Sequence, residues 1–520
     1  MLTLMPTDQF NQPARDPVVA LGQLFRQTGE PFNLLFTGLT PDLRYQLAAA
    51  ELYEYDWWNV FDEIQGIRHH VGLPAQLADL DVPAGVTPLY RNQDVYYYRA
   101  GELVMQARIA LAGYLWQVER QLGDGRYQLD QYDDRGFVTT RAYFHHGERE
   151  KLEYYDDYGR LVLTETAAGV AVSEAHHGRF GAAHYANIGA VVSEFLARRN
   201  LTLGASDHVI TGLTGATLYL RATQPLLHQM IFLVDPAVPL TPTDYGRLTA
   251  GDQLVFPTLA AQTTFDAAYA DAHHGAAWPT AAQTVIAPRA AAPVTVAEPD
   301  VVPPSIYWRA GNLPVADCLL VAKALVKVLQ AQPDLELTLS LTPDRVAALQ
   351  QALMQAIAET FKVDLGSGEF AAVNAYLEAA HGGLGTADAQ IAALRDQPSW
   401  PRLVGASQVV SRLTFVTDMA DRRAALQSAQ LLLDTGSQPK QSLQLAAVSL
   451  GIPQLTLAPS ALVRATQNGA VVRVDTVGTA ITNWRQPAAL AKAQVASQTL
   501  AAEYAAERLL KQWKELTQHG

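Results

Sequence analysis

The side chains that most often carry chemistry are sparse in this sequence, and their spacing argues against most reactions. Four adjacent histidine pairs, His69-His70, His145-His146, His176-His177 and His273-His274, are the obvious metal candidates. Neighbouring side chains diverge by about 100° on a helix and point to opposite faces of a strand, so such pairs do not close on one ion. The lone cysteine, Cys318, lies in the helical pattern Val315-Ala-Asp-Cys-Leu-Leu-Val-Ala322 and reads as a packing residue. There is no Gly-x-Ser-x-Gly elbow, no Walker A loop, no His-Glu-x-x-His and no Cys-x-x-Cys. Gly382-Gly-Leu-Gly385 follows a helix rather than joining a strand to one, which makes it a connection and not a phosphate cradle. The informative stretch runs from Leu431 to Thr456. Leu431-Leu-Leu-Asp434 reads as a buried strand, a polar loop and a helix follow, and Gly451-Ile-Pro453 opens the next strand. The side chains singled out there as substrate-binding candidates are the amides Gln438 and Gln441, which hydrogen-bond but carry no charge. No catalytic residue, no metal site and no cofactor is expected.

The elements that would hold this loop alternate between strand and helix. Pro31-Phe-Asn-Leu-Leu-Phe-Thr-Gly38 is a short apolar run ending in glycine, and Thr40-Pro-Asp-Leu-Arg-Tyr-Gln-Leu47 supplies a capping threonine with proline at the first helical position. From Arg126 to about Val172 the pattern changes to short strands separated by turn residues: Asp133-Asp-Arg-Gly136, His146-Gly147 and Asp156-Asp-Tyr-Gly159. This predicts an antiparallel β-meander. Its aromatics, Tyr127, Tyr132, Phe137, Tyr143, Phe144, Tyr154, Tyr155 and Tyr158, are too many for a small sheet to bury, so a stripe of them is expected to face a sugar or a partner chain. Tyr143 and Tyr154 are taken as substrate-binding candidates beside Gln438 and Gln441.

At 520 residues the chain exceeds one hydrophobic core. The reading divides it into a Rossmann-like domain over 1–125 and 180–300, an inserted β-meander over 126–175, a second Rossmann-like domain over 301–485, and a helix over 486–520. That last helix is expected to pack back on the first domain through Trp513. The alanine- and proline-rich region from Ala260 to Pro304 is the expected inter-domain segment. The composition, 49% hydrophobic and 17% charged, is that of a soluble globular protein, and a formal net charge of -13 opposes nucleic acid. No signal peptide and no membrane span are read from the sequence, and the single cysteine fits a reducing cytosol.

The Leu431–Thr456 layout resembles the donor-site loop of retaining glycosyltransferases of the two-Rossmann-domain (GT-B) type. The resemblance implies two glutamates eight positions apart, and counting back from Gly451-Ile-Pro453 puts them at Gln438 and Ala446. An amide and a methyl cannot supply the charge that such acids contribute. The fold class expected is therefore α/β, GT-B-like, with a long C-terminal helix and no catalytic acids.

Four further stretches, Pro41-Asp-Leu-Arg-Tyr45, Trp58-Asn-Val-Phe-Asp-Glu-Ile-Gln65, Asp133-Asp-Arg-Gly-Phe-Val138 and Gln444-Leu-Ala-Ala-Val-Ser-Leu-Gly-Ile-Pro-Gln454, together resemble the accessory Sec system proteins of the Asp group. The resemblance implies a non-catalytic, glycosyltransferase-like component for export of serine-rich-repeat adhesins. Its implied partners are the other Asp-group proteins, the accessory SecA motor and the glycosylated adhesin, and its implied location is the cytoplasm, reaching the membrane translocase from that side. The alternatives are an active glycosyltransferase and a partner subunit of an adhesin O-glycosyltransferase.

Overall fold

The computed structural model of the chain describes residues 2–7, 16–68, 71–110, 112–199, 207–223, 230–236, 238–249, 251–279, 282–292, 294, 304–340, 345–381, 389–417 and 419–519. His69-His70 and Gly382 to Gly385 lie outside them. Among the described residues the chain forms three sheets and divides into two compact units, Met1–Arg289 with Leu510–Gly520, and Ala290–Leu509.

A seven-stranded parallel sheet centres the first unit. In chain order its strands are Leu2–Met5, Asn33–Phe36, Trp57–Asn59, His208–Gly212, Met230–Leu233, Gln253–Phe256 and Gln283–Val285. In space the last four run outward on one side of Leu2–Met5 and the second and third on the other. These strands are apolar runs rather than alternating ones because helices cover both faces of a parallel sheet, and Leu34, Leu35, Phe36, Ile231 and Phe232 are all buried. The helix Pro17–Thr28 shows the local logic. Asp16 accepts from the Val18 amide at 2.7 Å to cap its start, and Gly29 takes a left-handed φ of 69° to end it.

Inserted after the third strand is an antiparallel meander of ten strands, each paired with the next, from Thr87–Arg91 to His184–Tyr185. It is longer on both sides than the 126–175 segment expected. The added strands were hard to read because they present Gln, Arg and Glu at close spacing, and their apolar face is a small cluster of Val95, Met105, Ala107, Leu115 and Val118 under Ala75 and Leu80. The pair His145-His146 belongs to this architecture rather than to a metal: His146 and Gly147 take φ of 49° and 85° and make a two-residue hairpin turn.

The described part of the alanine-rich stretch is structured, and the boundary between the two units falls within the stretch. Alanine is the strongest helix former, and Leu259–Ala272 is a helix whose Phe265 packs on Phe256 with ring centroids 5.4 Å apart. The strand Gln283–Val285 then completes the sheet, and the chain enters the second unit at Ala290.

The second unit is a six-stranded parallel sheet. Its strands in chain order are Ser305–Arg309, Glu336–Ser340, Leu413–Val416, Ala429–Asp434, Gln454–Thr456 and Gly469–Val471, and their spatial order is third, second, first, fourth, fifth, sixth. Ile306, Trp308, Leu337, Leu339, Leu431 and Leu433 lie in one buried core.

The long C-terminal helical pattern is broken at Tyr504 into Pro487–Glu503 and Ala506–His519. The former packs Leu500 and Ala501 against Leu445, Val448 and Ala291 of the second unit. The latter carries Trp513 into the first unit, where its ring stands edge-on to Phe25 at 6.4 Å and its Nε1 donates to the Ala287 carbonyl at 3.4 Å.

Candidate functional site

In open α/β sheets, ligands bind beyond the carboxyl ends of the strands where strand order reverses. In the second unit that point lies between Ser305–Arg309 and Ala429–Asp434, which pair in parallel. The loops leaving these strands run from Ala310 to Pro314 and from Thr435 to Lys440. They close on each other. Gly311 has a φ of 56°, and a Cβ built on it would sit 2.7 Å from the Gly436 Cα, so only glycine fits there. Asn312 Nδ2 donates to Ser437 Oγ at 2.7 Å while Asn312 Oδ1 accepts from the Ser437 amide at 2.9 Å.

Beneath this latch the polar groups are already engaged. Asp434 is fully buried. Its Oδ1 accepts from Arg309 Nη1 at 2.7 Å and from the Gly436 amide at 3.1 Å, and its Oδ2 accepts from the Lys440 amide at 2.9 Å. Trp308 Nε1 donates to Thr435 Oγ1 at 3.0 Å. The acid that ends the strand thus orients the loop and neutralises Arg309. Cys318, one element away, donates its thiol to the Leu313 carbonyl at 3.4 Å, and burial pushes its pKa up, which suits packing and not nucleophilic attack.

The residues expected at the site separate. Gln438 is in the loop with its side chain exposed, and its carbonyl accepts from Arg309 Nη1 at 3.4 Å. Gln441 is half-buried at the first position of the helix Gln441–Ser449. Ala446, the second position of the implied acid pair, lies on that helix partly buried against a cluster of Tyr307, Leu432 and Ile452. Tyr143 is half-buried in the meander, with the Lys151 ammonium 4.0 Å over its ring. Tyr154 is a correction to the sequence reading. It is 3% exposed, stacks on Phe61 at 6.0 Å and donates to Glu165 Oε2 at 2.7 Å, so it fixes the sheet to the first unit's core and cannot meet a substrate. Of the other rings in the expected stripe, Tyr158 is 68% exposed, and Tyr127 and Phe144 stack on each other at 4.6 Å.

A second constellation escaped sequence reasoning because its members are far apart in the chain. The turn Asp133-Asp-Arg-Gly136 docks on the start of the helix Leu43–Ala49: Asp134 Oδ1 accepts from Arg44 Nε at 2.8 Å, and Asp134 Oδ2 accepts from the Tyr45 amide at 3.0 Å. Asp42, the residue at the cap position, makes no capping bond and accepts from Gln46 instead. Beside it Arg135 is buried between Asp133, whose Oδ1 accepts from Nε at 2.6 Å, and Asp62, whose Oδ1 accepts from Nη2 at 2.8 Å. Burial, offset only in part by Arg135, raises the Asp133 pKa to about 6. No group of three or more potential metal ligands occurs among the described residues.

This docking joins Pro41–Tyr45, Trp58–Gln65 and Asp133–Val138, three of the four stretches behind the family resemblance, and these three lie within one match while Gln444–Gln454 lies outside it. Residues 14–206 match the family model of the first accessory Sec system Asp protein. The chain is 25% identical over 143 residues to that protein of Streptococcus gordonii and 28% identical over 207 residues to that of Staphylococcus aureus. These alignments cover 28% and 38% of this chain and only 27% and 40% of the two relatives. Among solved structures, a chain of the Streptococcus pneumoniae accessory secretory protein 1, 2 and 3 structure superposes with a TM-score of 0.72 at 15% identity, covering 100% of both chains. The pneumococcal O-GlcNAc transferase GtfA in complex with UDP and GlcNAc superposes at 0.67 and 10% identity, covering 100% of this chain and 99% of that one. At such identities the likeness concerns the fold, which is that of the GT-B glycosyltransferases. No helix among the described residues is long and apolar enough to cross a membrane.

Proposed function

We propose that this chain is a non-catalytic, glycosyltransferase-like component of the accessory Sec system. It assembles in the cytosol with the other Asp-group proteins and serves export of a glycosylated serine-rich-repeat adhesin. The observation that carries the non-catalytic part is the latched pair of loops at the strand-order reversal, where Asn312 bonds Ser437 and Asp434 is spent on Arg309. A donor sugar needs charged groups placed to meet it as charge develops, and neither position 438 nor position 446 carries a carboxylate. The assembly part is supported by the family match over residues 14–206 and by the likeness to a chain solved together with accessory secretory proteins. Affinity purification of the tagged chain from its native host, followed by mass spectrometry and an assay of UDP-GlcNAc hydrolysis and transfer, tests both parts. The expected result is recovery of the Asp-group proteins without turnover. Turnover lost on Gln438→Ala would overturn the non-catalytic reading, and recovery of a glycosyltransferase in place of the Asp-group proteins would overturn the assembly.

A further inference from the structure

Away from both constellations, the first unit holds a cavity of about 460 Å³ lined by Trp58, Glu63, Arg179, Phe195, Arg198 and Arg199, together with Gly178. In a chain of net charge -13 this concentration of guanidinium groups stands out. We propose that the cavity binds a small soluble phosphate ester, with the Arg199 guanidinium as its principal ligand.

The three arginines are not equivalent. Arg179 is committed to structure: its Nη2 donates to the Glu63 carbonyl at 2.6 Å and to the Ile64 carbonyl at 3.1 Å, closing the C-terminal end of the helix Val60–Gln65. Arg198 pairs with Glu194 one turn back on its own helix and donates to the Arg179 carbonyl. Arg199 lies with its guanidinium carbon 4.6 Å over the Trp58 ring. That contact holds its plane without using its five donors. Arg68 and Arg160 add their fields to the same region, and with burial as the larger cause they depress the Arg179 pKa. On the cavity wall itself three arginines stand against one carboxylate, Glu63. An entering dianion relieves that surplus and meets a preset fork of donors. The volume lies within the range of small-ligand pockets. Trp58 is half-buried and Phe195 is buried, so the cavity offers no protruding apolar residue for insertion into a bilayer, and the ligand is a soluble one.

The test is isothermal titration of the full chain with inorganic pyrophosphate at low salt. Saturable binding is expected. Arg199→Ala should weaken it about tenfold or more, Arg199→Lys should weaken it less, and Glu63→Gln should tighten it severalfold by removing the competing carboxylate. Both positions line the cavity, and an unchanged melting curve for each of the three variants shows that the fold is intact. Absence of saturable binding overturns the proposal, as does binding indifferent to both Arg199→Ala and Glu63→Gln. Adsorption to phosphatidylglycerol vesicles without pyrophosphate binding also overturns it.

Discussion

Asp134 caps the helix that carries Tyr45 from 89 residues away, its Oδ2 accepting the Tyr45 amide at 3.0 Å. The carboxylate replaces a cap that the local sequence leaves unmade, and at the same time it pairs with Arg44, which is mostly buried. One side chain therefore ties the meander to the crossover between the parallel sheet's second and third strands in chain order.

Replacing Asp134 by alanine removes a cap and strands Arg44, and the expected cost is about 3 kcal/mol. Asp134→Asn keeps an acceptor for the Tyr45 amide and should cost about 1 kcal/mol. Chemical denaturation of the full chain, with hydrogen exchange at residues 43–49 as the local readout, checks the order. Equal costs for the two variants would show that the pairing with Arg44, and not the cap, carries the effect.

Asp133 gives a pH dependence with a definite sign. Its folded pKa, raised to about 6 from 3.8 mainly by burial, means that the folded chain holds a proton more tightly than the unfolded one. Its contribution to stability is complete below about pH 4 and is lost as pH rises through about 6, by no more than about 3 kcal/mol. Asp133→Asn should flatten the stability profile between those limits. A profile that keeps its slope in the variant would assign the proton elsewhere.

Trp513 is 1% exposed between Phe25 and the Ala287 carbonyl. Trp513→Ala should destabilise the first unit by about 3 to 5 kcal/mol. Deleting residues 506–520 should lower the melting temperature and open the first unit to protease. An unchanged digestion pattern would show that the helix adds nothing to that core.

Restoring glutamate at positions 438 and 446 should leave transfer from UDP-GlcNAc at background. Position 438 is exposed, but a glutamate at 446 would press its charge against Leu432 and Ile452 and should lower stability by about 1 to 3 kcal/mol. Measurable turnover by the double variant would show that only the acids are missing.

Where periodicity tracks burial, the sequence was readable. Leu431 to Asp434 reads as a buried strand because parallel strands are apolar throughout, and it is one. The glycine in Gly451-Ile-Pro453 takes the left-handed φ of 68° that such a turn suggests. Three features were not legible. The strands from Thr87 to Gly123 carry polar residues on the uncovered face, so alternation was obscured. Tyr154 could not be told from Tyr143, since only the packing of Phe61 distinguishes them. The Asp134 cap depends on a contact that no local pattern records. At the candidate site, the absence of acids at 438 and 446 was plain, while the Asn312 and Ser437 latch, 125 residues apart in sequence, was not.

The path of the chain through its two units sets an order of events during synthesis. The first unit is built from Met1–Arg289 together with Leu510–Gly520, so its core waits for a segment that leaves the ribosome more than two hundred residues later. At roughly 5 to 20 residues per second that delay is on the order of 10 to 40 seconds. Throughout it, the slot between Phe25 and Ala287 stands open and apolar. A nascent chain of this topology offers a chaperone a defined window, and the arrival of the Trp513 indole closes it.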